Sequence, residues 1–168
     1  GVDNAFPHHT NEIAQSESYL GHPWCRQWFH VHHLNTNSGK MSKSSGEFLT
    51  VSLLEEKGYD PLVYRLFCLQ SHYRKPLTFS FDSLDNAAQA YQKLVQRIAA
   101  LSKEGQRDVE AARPYQEQFQ AALGNDLNTS LGLTVLYDVL KADLSDATKR
   151  YLIDDFDQVL SLGLLEAA

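Results

Sequence analysis

Two lysines, Lys40 and Lys43, lie in the stretch NSGKMSKSSGEF, Asn37 to Phe48, among four serines and two glycines. Residues this small let backbone and hydroxyl groups approach an anion, and two ammonium groups supply charge suited to a polyphosphate. Composition alone reads the same stretch as a solvated connector kept soluble by its lysines. Upstream, His8 and Glu12 are four residues apart, which on a helix puts an imidazole and a carboxylate on one face and allows them to share a metal. Spacing alone fits a hydrogen-bonded or simply exposed pair better. His30, His32 and His33 are a third cluster of ligand types, but strand alternation sends His30 and His32 to one face and His33 to the other, which argues against a second metal site.

These groups need elements to hold them. The spacing of Ile13, Ser16 and Leu20 before Gly21 predicts a helix over Pro7 to Leu20. Arg26 to Leu34, RQWFHVHHL, is aromatic and partly alternating, which predicts a strand leading into the lysine loop. Thr50 is placed to cap VSLLEEKG, and Asp60-Pro61 starts a second helix. SHYRKPLTFSF reads as a connector. Asp82 then caps a long helix in which Leu84, Ala87, Ala88, Tyr91, Leu94, Val95, Ile98 and Leu101 recur at helical spacing. A polar break over Lys103 to Pro114 separates it from three further amphipathic segments, whose short loops favour antiparallel packing. The expected architecture is mainly α. Residues 1–75 form a mixed piece with too few strands to make a sheet alone, and residues 76–168 form an antiparallel helical bundle.

Composition narrows the function class. With 43% hydrophobic and 21% charged residues, the 168-residue chain can bury a core, which excludes disorder. A net charge of -6 argues against a general nucleic-acid platform, since such binding rests on phosphate neutralisation. No apolar run has the length of a membrane helix, which makes a cytoplasmic location the default. Cys25 and Cys68 stand beside Trp24 and Phe67 and read as buried reduced thiols. A start at Gly1 with a lone Met41 leads to the expectation of a piece of a larger polypeptide.

The order of residues adds a resemblance. KMSKS, Lys40 to Ser44, is similar letter for letter to the second signature of class I aminoacyl-tRNA synthetases. FPHHTNEIAQSE upstream and YDPLVYRLFCLQSHYRKPL downstream resemble the cysteinyl-tRNA synthetases, from Gly1 to about Leu101 and again at NDLNTSLGLTVLYDVL and LGLL. The resemblance implies that residues 1–75 are the C-terminal part of a Rossmann-like catalytic domain and that the bundle lies on the anticodon side. It implies ATP with Mg, L-cysteine and tRNA(Cys) as partners, a monomer, and Lys43 as the group that stabilises phosphate charge while the cysteine carboxylate attacks the α-phosphorus. Such charge stabilisation by a moving loop contributes most when charge spreads onto the leaving group. Lys40 is implied as its helper, Met41 and Ser42 as further ATP contacts, Asp3 as a contact to the ATP ribose, and His9 as a shaper of the adenylate pocket.

By the same resemblance, His8 and Glu12 are two zinc ligands of an incomplete site, completed in the family by two cysteines from earlier in the domain. There the zinc accepts the substrate thiolate, and a soft sulfur ligand lets the enzyme reject serine without editing. Cys25 and Cys68 fall where the family places no ligands. Arg74 and Lys75 are implied to meet tRNA, and Arg97, Lys141, Lys149 and Arg150 of the bundle are further phosphate candidates. The family's usual glutamate after the paired histidines is Thr10 here, and its common SLGNF is SSGEF. The first, HIGH-type signature is not found, so the expectation is that this polypeptide does not aminoacylate alone. Two other readings stay open: a cysteine ligase of the same family that acts on an amino sugar, and a non-catalytic module that binds tRNA or a protein.

Overall fold

The computed structural model of the chain describes residues 1–36, the backbone of 39–40, and residues 50–168. The chain opens with a 3-10 turn, Val2–Asn4, and a π-type turn, Ala5–His9, before helix α1, Thr10–Leu20. The expected start at Pro7 is too early because Phe6 is extended (φ -135°, ψ 133°) and the regular ladder begins only at Thr10. The end is as expected: Gly21 closes α1 in the left-handed region (φ 72°), where a glycine carries no Cβ penalty.

The strand expected over Arg26 to Leu34 does not form. Among the described residues this stretch has two backbone bonds to other segments, Val2 N to Val31 O and His32 N to Tyr73 O, in place of a ladder. Only Leu34 enters a strand. A three-stranded sheet of order β2-β1-β3 joins β1, Leu34–Thr36, to β2, Gly39–Lys40, antiparallel, and to β3, Leu77–Phe79, parallel. The third strand comes from beyond residues 1–75, which were expected to hold too few strands to make a sheet alone, and the reading of SHYRKPLTFSF as a bare connector is corrected, since β3 lies inside it. Three residues are too few to show a period, so β3 is defined by its partner.

Helices α2, Val51–Glu56, and α3, Pro61–Leu69, cross from the hairpin to β3. Their caps are as read: Thr50 Oγ1 accepts from Leu53 N, and Asp60 Oδ1 accepts from Leu62 N. Helix α4, Phe81–Ala99, is capped by Ser80 rather than Asp82, through a reciprocal capping box with Ser83. Asp82 lies in its first turn instead, favourable against the positive end of the helix dipole. Helix α5, Val109–Gly124, begins inside the expected polar break and contains Pro114. Asp108 caps it, and burial of Ala112, Phe119 and Ala122 offsets the backbone bond that proline cannot make. Helices α6, Thr129–Lys141, α7, Asp146–Leu160, and α8, Leu164–Ala167, complete the chain.

Among the described residues, all the buried apolar side chains except Ala122 belong to one cluster that runs from Leu54 to Leu164 through α2, α3, β3 and the later helices. Phe119 of α5 stacks on Phe156 of α7 at 4.1 Å between centroids. Gly132 of α6 lets Phe119 come close, since a Cβ there would sit 3.2 Å from the ring. Polar ties close the ends. Arg65 of α3 donates to Leu160 O (2.5 Å), Tyr91 of α4 donates to Leu162 O (2.8 Å), and buried Thr148 accepts from Asp108 N (2.9 Å). No helix among the described residues is long and apolar enough to cross a membrane.

The core stack and the α4 cap should differ in weight. Phe156→Ala is expected to cost about 3–5 kcal/mol by removing a fully buried ring, and Ser80→Ala about 1 kcal/mol by removing one cap. Urea unfolding of the two variants against the parent chain measures both.

Candidate functional site

The N-terminal turns and α1 bury no residue in the core, so ring stacking and single hydrogen bonds hold this region together. His9 Nδ1 lies 2.7 Å from His30 Nε2, one ring nitrogen donating and the other accepting. His9 also stacks on Trp28 (4.6 Å between centroids, 28° between planes), and Trp24 meets Trp28 edge-on at 5.8 Å. Partial burial, followed by the neighbouring His30 and the N-terminus, pushes the His9 imidazole below its ordinary value. A neutral His9 suits this contact, because a ring nitrogen that is protonated can no longer accept.

An open cavity of about 490 Å³ is lined by Asn4, His8, His9, Glu12, Trp24 and Trp28. His8 belongs to the π-type turn and Glu12 to α1, but His9 and Thr10 keep right-handed helical dihedrals, so the register carries across the junction and both groups reach one cavity. An imidazole and a carboxylate are ligand types that zinc accepts, so the donor chemistry fits half of a tetrahedral site. No cluster of three or more such ligands occurs among the described residues. Neither wall residue was a site candidate from sequence: Trp24 entered only as the neighbour of Cys25, and Trp28 fell in the aromatic stretch that pointed to a strand.

Asp3 accepts from, or pairs with, His33 Nε2 at 2.6 Å, and Gly1 packs so closely on the His33 ring that a Cβ would come within 2.8 Å of it. Lys40 is placed by its backbone in β2, opposite Asn35. Met41, Ser42 and Lys43 lie outside the described residues. Of the two thiols, Cys25 donates to Gln27 O at 3.2 Å, while Cys68 packs against the core with its thiol pushed up by burial.

Arg74 and Lys75 fall in the segment between α3 and β3. Arg74 Nε is 2.6 Å from Asp126 Oδ2, and Tyr73 Oη donates to Asp126 Oδ1 at 2.5 Å. His72 Nε2 lies 2.9 Å from the Asp126 carbonyl oxygen. Tyr73's hydrogen bond, then that of Arg74 and its charge, hold the Asp126 carboxyl below the usual carboxylate range against an opposing effect of burial. Lys75 instead lines a largely apolar cavity of about 350 Å³ with Val31, Leu34, Tyr64 and Leu127. The four bundle cations divide over three helices: Arg97 ends α4, Lys141 of α6 faces Asp138 at 3.8 Å, and Lys149 and Arg150 are half-buried on α7.

Residues 1–89, which hold the paired histidines, the sheet and the helices that cross from β2 to β3, match the family of tRNA synthetases class I (C) catalytic domains. The chain belongs to that family. Its relatives include a cysteine-tRNA ligase of Novosphingobium aromaticivorans, 42% identical over 99% of this chain and 36% of the relative. Cysteine-tRNA ligase 1 of Burkholderia lata is 40% identical over 99% of this chain and 35% of its own length, and the Borrelia turicatae cysteine-tRNA ligase is 36% identical over 99% and 37%. The chain thus spans about a third of the length of these curated relatives.

The depressed Asp126 carboxyl predicts an acid sensitivity. Its stabilisation is complete above the unfolded-state value of about 3.9 and is lost as pH falls through the lower folded value, because the unfolded chain then binds the extra proton. Asp126→Asn is expected to be less stable than the parent at pH 7, with the gap narrowing below about pH 4. Urea midpoints across that range check it.

Proposed function

We propose that this chain is the central part of a cysteine-tRNA ligase, contributing half a metal site, the adenylate-side histidine and the phosphate-binding lysines to an active site completed by other residues. The observation that carries the reading is the family match over residues 1–89 together with a single cavity that takes His8, His9 and Glu12. ATP, L-cysteine and tRNA(Cys) are the substrates. An oxygen of the cysteine carboxylate attacks the α-phosphorus, the bond to the bridging oxygen breaks, and pyrophosphate leaves. Lys43, helped by Lys40, meets the charge that spreads over the phosphates, and Met41 and Ser42 hold the loop against ATP. Asp3 contacts the ribose. The cysteinyl group is then transferred to tRNA.

His8 and Glu12 would hold zinc, which supplies a soft acceptor for a thiol and so favours cysteine over serine. Neutral His9, fixed by His30 and Trp28, shapes the adjoining wall without adding a positive charge. Residues 1–75 serve as the catalytic part and residues 76–168 as an antiparallel helical unit on the anticodon side. Lys75 is exposed and available to a tRNA phosphate, whereas Arg74 must share its guanidinium with Asp126. The relatives' shared name favours tRNA over an amino sugar as the acceptor. A monomeric enzyme working in the cytoplasm fits this reading.

The test mixes this chain with the remaining N-terminal portion of the Novosphingobium aromaticivorans ligase and follows bound zinc and cysteine-dependent ATP-pyrophosphate exchange. Exchange and about one zinc per complex are expected only in the mixture, with His8→Ala releasing the metal. Lys43→Ala should lower exchange by about 10²–10³-fold and Lys40→Ala by less, the range for removing one preorganised donor to a charged transition state. A mixture that binds neither zinc nor makes adenylate would overturn the proposal.

A further inference from the structure

The turn between α5 and α6 holds two non-glycine residues in the left-handed region, Asp126 (φ 58°) and Leu127 (φ 54°). L-residues enter that region at a cost and stay there when surrounding contacts over-determine them. At Asp126 those contacts come from three consecutive residues of the segment before β3: the Tyr73 hydroxyl and the Arg74 guanidinium on its carboxylate, and the His72 ring on its carbonyl. On its other side Tyr73 packs on the stretch before β1, and with Phe29 it lines the cavity that holds Lys75. Its ring lies 4.4 Å from that of Phe29, and its carbonyl accepts from His32 N at 2.8 Å. Phe29 stands between Trp28 and His30, the two residues that hold His9. Contacts therefore join the helical turn to Phe29, and the backbone of residues 28–30, a stretch with no strand ladder of its own, carries the connection on to the pocket wall.

We infer that Asp126 is a positioning residue for the pocket: through Tyr73 and Phe29 it sets where Trp28 and His30 stand, and hence where His9 is held. The inference rests on the proposed function only for its consequence, that the helical unit's placement is transmitted to the adenylate side. Asp126 touches no substrate. A purely local role, pinning its own turn, is the competing account, and coupling between sites needs a direct measurement to separate the two.

Trp24 and Trp28 are the two tryptophans of the chain, and both line the pocket, so their indole N–H resonances report on it directly. Asp126→Asn keeps a residue type that tolerates the left-handed region and removes the charge, while Tyr73→Phe removes only the hydroxyl. Both variants of the 168-residue chain are expected to shift the Trp28 indole resonance, assigned with Trp24→Phe, by more than its linewidth. Arg113→Ala, which breaks the exposed pair with Glu110 at 2.6 Å, should leave it in place. The inference is overturned if amides around residues 124–128 shift in either variant while both indole resonances stay. Should Asp126→Asn unfold, Tyr73→Phe decides by the same criterion. The spectra need no ATP, zinc or tRNA, so the result stands whether or not the reconstituted enzyme makes adenylate.

Discussion

Parallel pairing of Leu34–Thr36 with Leu77–Phe79 is the interaction on which the arrangement of this chain depends. On one side, Phe79 is buried in the core and meets Phe67 edge-on, so β3 is fixed by packing. On the other, β1 follows directly from the aromatic and histidine stretch that forms the pocket wall and leads into the lysine stretch. Few backbone bonds are involved, and each contributes only about a kilocalorie per mole net. Their importance is geometric, because everything before residue 34 lacks a buried core and takes its place from this sheet, Tyr73 and ring stacking.

That division of labour fits the chemistry. Under the proposed function the site has to admit several ligands, so it cannot be filled with leucine. The pocket is accordingly open, walled by indole and imidazole rings whose stacking gives orientation without closing the cavity. The helices behind it are rigid for the opposite reason: Leu84, Leu94, Ile98, Leu136, Leu152 and Phe156 are fully buried, and the arginine and tyrosine ties at α3 and α4 hold the last turn of the chain against them. Few buried apolar contacts on the pocket side and a dense core behind it are the features of a face that opens locally ahead of the core.

Local signals succeeded where the physics is local. Thr50 and Asp60 cap helices because a side-chain oxygen next to free amide groups needs nothing distant, and the apolar stripe of α4 declares its buried face by spacing alone. The expected cap at Asp82 was displaced because Ser80 and Ser83 satisfy each other reciprocally, and a break at Pro114 was overridden by burial on both sides of it. The strand at Arg26 to Leu34 failed for a related reason: β-branched and aromatic residues favour a strand only when a partner edge is present.

By itself the sequence determined the membership in a synthetase family, through the unbroken order of KMSKS and its flanks, the caps, and the amphipathic faces of the helices. These are properties of residue identity and near neighbours. Only the tertiary structure decided that Trp24 and Trp28 form a wall beside His8 and Glu12, that His30 meets His9, that β3 exists, and that Asp126 receives three residues of a distant segment. Each of those depends on groups from 12 to more than 50 positions apart meeting in space. Sequence spacing carries no record of such meetings, since the loops that close them can take many lengths at little cost in free energy.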